Sequence, residues 1–278
     1  RRYTMINEFI SSLIQYNFLS RALITAIVVG IVCGIVGSLI ILRGLSLMGD
    51  AMSHAVLPGV AISYVLNIPM FIGALVTGML TSFLIGYIAQ HSKTKNDAAI
   101  GIIFTAFFSL GIIIISQINS STDLYHILFG NILAVTSSAF YTTSIVSLIV
   151  IACVILFYKP LHLSTFDPIA ARMSGLNVKF IHYFVMMLLA LVTVASLQTV
   201  GIILVVALLI TPSSAAFLIT KSLKSMMIVA SVISAICAAC GMYISYLYNL
   251  PSGACIVLVC CLVYMITFTI HKMKLKFA

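Results

Sequence analysis

The sequence predicts an all-α polytopic membrane protein, and three observations carry that prediction. Of its 278 residues 63% are hydrophobic and only 7% charged, with a mean hydropathy of +1.26. A soluble domain carries about 25% charged residues, so this chain has no polar skin to turn toward water. Apolar runs recur at close to the roughly 20 residues that a membrane-spanning helix needs. The lysines and arginines fall into alternate gaps between those runs. Little chain is left for a water-soluble domain, and residues 1–278 read as a single transmembrane domain.

Taken in order, the apolar runs lie at about 19–42, 51–66, 69–90, 98–118, 138–158, 180–197, 200–220, 225–247 and 251–270. They give nine candidate crossings. The run near 51 is short and polar for a span, and only Gln198-Thr199 separates the sixth run from the seventh, so eight is the alternative count. Arg43, Lys93, Lys95, Lys159, Arg172, Lys179, Lys221, Lys224, Lys272, Lys274 and Lys276 all follow odd-numbered runs. The turns after even-numbered runs contain no lysine or arginine. Basic loops stay in the cytoplasm, so the reading is a multi-pass protein of the cell membrane with its amino terminus outside and its carboxy terminus inside. This consistent alternation favours nine crossings. Met5-Ile6-Asn7-Glu8 reads like a natural start, and no cleavable signal pattern follows it.

Two stretches are not simple spans. Residues 123–130 begin at an outside turn and run to Gly130 in about two helical turns, too short to cross, so a short outer helix is expected there, re-entrant into the bilayer. The basic inner segment 159–179 contains Asp167-Pro168, an N-cap followed by proline at the first helical position, and Gly175 where a helix would stop. A short cytoplasmic helix over about 168–174 is expected. Gly30, Gly34 and Gly37 form a small-residue face for close helix packing, and Thr211-Pro212 falls inside the seventh run, where proline bends a helix.

The formal net charge is +9. Because the bases sit in short gaps beside the membrane, they are topology determinants against anionic headgroups rather than a nucleic-acid surface. The seven cysteines lack the paired spacing of a zinc site or disulfide framework; all but Cys255 fall well inside apolar runs and read as packing residues.

Only five acids occur: Glu8, Asp50, Asp97, Asp123 and Asp167. Asp97 and Asp167 are positioned to cap helices, and Glu8 lies in the amino-terminal segment. Asp50 and His54 are four residues apart, so a helix sets carboxylate and imidazole on one face. Ionisable residues inside a span are costly and usually face a pathway or a partner. Asp123 and His126 repeat the pairing at a spacing of three. Together the four make a mixed oxygen and nitrogen set suited to Mn²⁺, Fe²⁺ or Zn²⁺ rather than Cu(I). The alternatives are an Asp–His hydrogen bond that pins helices at the first pair and a self-capping Asp at the second. His91, His162, His182 and His271 lie at loops or span ends and are given no ligand role. No phosphate-binding loop and no His-Glu-x-x-His helix occurs, which excludes a P-loop ATPase and the usual intramembrane zinc protease.

The segments Ser46 to Gly59, Ser121 to Asn131 and Ala207 to Pro212 resemble the permease family of bacterial manganese, zinc and iron ABC importers, with the likeness running over nearly the whole chain from Met5. Within the family the chain is most similar to manganese permeases of Gram-positive bacteria. The resemblance implies a permease fold like that of the vitamin B12 importer, a homodimer, a separate cytoplasmic ATPase subunit that docks on the inner-loop helix, and an extracellular metal-binding lipoprotein that delivers the ion. It implies that Asp50, His54, Asp123 and His126 line the metal pathway, that Mn²⁺ is the transported ion with Zn²⁺ or Fe²⁺ as alternatives, that no cofactor is permanently bound, and that the chain is a transport subunit rather than an enzyme. A secondary transporter driven by an ion gradient, and more distantly a membrane enzyme, are the rival classes.

Overall fold

The computed structural model describes residues 11, 15–93, 95–117, 132 and 135–277. Among them run twelve helices: α1 (Asn17–Leu42), α2 (Ser46–Ala55), α3 (Leu57–Val65), α4 (Met70–His91), α5 (Asn96–Ser116), α6 (Ser137–Leu156), α7 (Tyr158–Phe166), α8 (Pro168–Met173), α9 (Val178–Val200), α10 (Ile202–Ile219), α11 (Leu223–Tyr248) and α12 (Ser252–Phe277). Eight of them, α1, α4, α5, α6, α9, α10, α11 and α12, are long and apolar enough to cross a membrane. They account for every expected run but the second. The protein is therefore all-α and polytopic, as its composition requires.

The second run is not one helix. It is α2 and α3, of 10 and 9 residues, joined at Val56. Pro58, in the first turn of α3, has no N–H to continue the ladder of α2 but loses nothing at a helix start, so the break falls just before it. The boundary between the sixth and seventh runs also moves. Gln198 and Thr199 are helical within α9, and the chain breaks instead at Gly201, whose φ of 80° and ψ of 167° suit only glycine. Asp97 does not cap α5. Lys95 occupies that position without a side-chain bond, and Asp97 lies inside the first turn, where its charge favours the helix N-terminus.

The segment between α6 and α9 holds two helices rather than one. α8 matches expectation: the Asp167 carboxylate accepts from the backbone N–H groups of Ile169 (3.1 Å) and Ala170 (2.8 Å). At its other end Gly175, at φ 80°, donates to the Arg172 carbonyl while Leu176 donates to that of Ala171. These paired bonds close the helix and satisfy two orphan carbonyls. The unexpected helix is α7. Its Pro160 sits in the first turn, where a missing N–H costs nothing. The expected outer helix at 123–130 lies outside the described residues.

Helices α1 and α9 form the centre. Helix α1 packs against α6, α9, α10 and α11, and α9 against α1, α2, α4 and α6. The glycine face of α1 does what its spacing suggests. A Cβ at Gly34 would come within 2.8 Å of the Ala230 and Ser231 backbone of α11, and one at Gly37 would overlap the Leu209 carbonyl oxygen of α10. Close approach lets side chains bond across helices: Ser213 Oγ donates to the Gly34 carbonyl (3.2 Å) and Ser231 Oγ to that of Ile31 (3.1 Å). The outward faces are apolar, with Leu148, Ile155 and Leu258 exposed, as a lipid-facing surface demands.

Arg43, just past the end of α1, reaches α7. Its Nη2 donates to Ser164 Oγ (2.8 Å) and its Nε to Thr165 Oγ1 (3.2 Å). Burial pushes the guanidinium down to about 10, so it stays charged at neutral pH. The α7–α8 pair is thereby tied to the central helix.

Gly37→Ala is expected to destabilise the protein by about 1–3 kcal/mol, because the added methyl meets backbone that cannot swing aside. Thermal unfolding in detergent should show a lower midpoint than for Gly101→Ala, where a Cβ meets open space.

Candidate functional site

Helix α2 sorts its residues onto two faces. Met48, Met52 and Ala55, at spacings of four and three, are fully buried against the core, whereas Leu47, Asp50 and His54 point the other way. Helical periodicity thus brings carboxylate and imidazole together, as expected. His54 Nε2 lies 3.7 Å from Asp50 Oδ1, beyond the range of a direct hydrogen bond. The Asp50 side chain is 55% exposed and that of His54 29%. The two groups converge without consuming each other, which disfavours the alternative of a hydrogen-bonded Asp–His pin.

The imidazole is held by α5. Its ring lies edge-on to Phe108 (centroids 5.4 Å, 82° between planes) and tilted against Phe104 (5.7 Å, 59°). Its Nδ1 is buried with no hydrogen-bond partner, leaving Nε2 as the nitrogen on the Asp50 side. An apolar cradle of this kind fixes ring orientation by shape rather than by a polar neighbour.

Asp50 and His54 open into a cavity of about 430 Å³ whose other walls are Phe108 and four residues of the first turns of α10, Ile202, Ile203, Val206 and Ala207. Among the described residues its only titratable groups are the Asp–His pair. A cation entering it would find one carboxylate and one imidazole among hydrocarbon, where there is little water to compete for them.

The second expected pair, Asp123 and His126, lies outside the described residues. Among the described residues no third His, Cys, Asp or Glu joins Asp50 and His54 in a metal-sized group. Three of the remaining histidines are engaged elsewhere: His91 Nδ1 meets the Tyr87 carbonyl (2.9 Å) and stacks on its ring, His162 lies between Tyr158 and Phe166, and His182 packs edge-on to Tyr183. Sequence reasoning missed Phe104, Phe108 and the α10 wall, because an aromatic or isoleucine inside an apolar run carries no signal apart from its hydrophobicity.

The profile of the ABC 3 transport family matches residues 15–271. The chain belongs to that family. It is 58% identical over 260 residues to the manganese transport system membrane protein MntC of Listeria monocytogenes, covering 94% of this chain and 93% of that one. It is 52% identical over 272 residues to the manganese import system permease protein ScaB of Streptococcus parasanguinis, covering 98% and 97%. Among solved structures it matches PsaBC from Streptococcus pneumoniae in complex with Fab, with a TM-score of 0.86, 49% identity and 95% of each chain covered. The ABC 3 assignment accords with the resemblance carried by the Asp50–His54 segment.

If the cavity is the route to Asp50, an Asp50→Cys variant should react with a small, membrane-impermeant thiol reagent above the level of the parent chain. Adding Ala207→Trp, which fills the cavity while leaving both polar groups in place, should slow that labelling. Equal rates in the single and double variants would show that Asp50 is reached some other way.

Proposed function

We propose that this chain is the membrane permease of an ATP-driven importer for a divalent transition metal, with Mn²⁺ as its ion. The observation that carries the proposal is the unengaged Asp50–His54 pair at the head of an apolar cavity, in a family member more than half identical to manganese permeases. A carboxylate and an imidazole form a borderline-hard donor set that suits Mn²⁺ and also accepts Zn²⁺ or Fe²⁺. Asp123 and His126 would complete the shell from the outer side. In support, the cavity includes the first turn of α10, which follows directly on the lysine-free turn assigned to the outside.

In this reading residues 1–278 form one transmembrane domain whose amino terminus is outside and whose carboxy terminus is cytoplasmic. Two copies enclose the path, an extracellular binding lipoprotein delivers the ion, and a cytoplasmic ATPase docks on residues 159–179. The chain's own work is to receive the ion, strip water from it and gate it. Asp50 neutralises part of the ion's charge, which lowers the cost of bringing it out of water. His54, locked by Phe104 and Phe108, supplies a nitrogen without having to reorganise. The segment α7–α8 is suited to carrying ATPase motion because α8 is closed at both ends and α7 is bonded through Arg43 to α1.

In cells producing the complete transporter, Asp50→Asn and His54→Ala are each expected to lower radiolabelled manganese uptake at matched expression by at least about tenfold, at the scale seen when a metal site loses a supporting group. Asp123→Asn should do likewise, and His126→Ala less, since water can take its place. Near-normal uptake by Asp50→Asn would sink the site. Uptake that continues after the proton gradient is collapsed but stops without ATP separates this importer from a gradient-driven carrier, and competition by unlabelled zinc ranks the two ions.

Asp167→Ala removes the cap of α8, worth about 1 kcal/mol. It is expected to raise the ATP hydrolysed per ion transported while basal ATPase activity persists. An unchanged ratio would remove α8 from the coupling path.

A further inference from the structure

Helices α6 and α11 flank α1 without closing over it. They leave a groove of about 630 Å³ that shares no helix with the Asp50–His54 cavity. Ile35, Ile155, Ile228 and Ala235 line its length, and Tyr158 and Lys224 stand together at one end. We propose that this groove binds an anionic phospholipid of the cytoplasmic leaflet, one acyl chain lying in the groove and the phosphate at Lys224.

The length fits. Lys224 and Ala235 are eleven residues apart on α11, about 16 Å at the rise of an α-helix, against a hydrocarbon core of about 30 Å. The groove therefore runs from one interface to the bilayer midplane, the depth of a single leaflet. Its wall is apolar and self-satisfied, because the Ser231 hydroxyl is already engaged by the carbonyls of Ile31 and Met227. A groove of this composition in hydrocarbon offers a chain contacts but no hydrogen bonds.

The charge selects the headgroup. Among the described residues no carboxylate pairs with Lys224; Lys221 precedes it by three residues in sequence, and Lys159 directly follows Tyr158. Tyr158 beside Lys224 has the amphipathic ring favoured at a membrane interface. The mouth lies at the end where Arg43, Lys159 and Lys221 fall, which is the cytoplasmic end by the distribution of bases, and basic pockets between helices on that side suit anionic headgroups. A second copy of this chain is the poorer occupant. With 14 bases to 5 acids it has few carboxylates to set against Lys224.

The test uses the purified full chain, stripped of lipid and offered equal amounts of phosphatidylglycerol and phosphatidylcholine with matched acyl chains, with bound lipid counted by native mass spectrometry. The parent chain should retain the anionic lipid about fivefold over the neutral one, the effect of one lysine near the surface. Lys224→Gln should bring the ratio close to one, Lys224→Arg should preserve it, and Lys272→Gln on α12 should leave it alone. Ile228→Trp, which fills the groove, should reduce retention of both lipids. The proposal is overturned if the parent shows no preference, if Lys224→Gln keeps it, or if glycerol phosphate alone displaces the lipid. Disulfide cross-linking between copies through Ile228→Cys in native membranes would overturn it too, by assigning the groove to a second protomer. None of these readouts depends on which ion is transported.

Discussion

Everything in this molecule is arranged around the close approach of α1 to α10 and α11. In lipid the hydrophobic effect does not draw helices together, so association relies on tight packing and on hydrogen bonds across the interface. Gly34 and Gly37 permit that packing by removing the atoms that would collide with Ala230 and Leu209. Once the backbones touch, the Ser213 and Ser231 hydroxyls come within reach of carbonyls on α1. Helix α10, placed in this way, presents its first turns to α2. The cavity wall of Ile202, Ile203, Val206 and Ala207 is thus an indirect product of glycines on another helix.

The same logic explains why the polar pair sits on a short helix. A long span buries its polar groups only where a partner covers them. Helix α2 is ten residues long and ends at the junction with α3 at Val56. Its methionine face can then seat in the core while Asp50 and His54 turn toward the cavity. The chain approaches itself closely beyond the junction as well, where a Cβ on Gly59 would strike the Gly73 carbonyl of α4, so α3 is fixed independently. A break in the backbone here separates two jobs, anchoring and presentation, that one continuous helix would have to combine.

What could be read from the chain depended on whether the signal was chemical or geometric. The capped helix at Asp167, its glycine stop, the glycine stripe of α1 and the Asp50–His54 face were all legible, because each rests on residue types with few alternative uses. Helix α7 was not, because Pro160 reads as a breaker until its place in a first turn is known. The α9–α10 boundary was misread by a few residues for a related reason. Polarity drew attention to Gln198 and Thr199, yet in a bilayer a helix can carry both, and the backbone turns at a glycine hidden between Val200 and Ile202. The aromatic cradle of His54 was invisible, since nothing about Phe104 or Phe108 distinguishes them from a dozen other apolar residues facing lipid or core. A chain with so few polar residues displays its candidate ligands clearly and conceals what surrounds them.

Arg43 has a mechanical consequence. Its guanidinium keeps its charge, and a charge at the centre of the hydrocarbon costs about 2.5–3.5 kcal/mol even by the most lenient scales. Any slide of α1 along its own axis toward the bilayer would drag that charge inward and tear it from Ser164 and Thr165. Axial piston motion of the central helix is therefore penalised, whereas rotation about the axis leaves Arg43 at constant depth. The residue acts as a depth stop, and it makes swivelling and tilting of α1 cheaper than sliding.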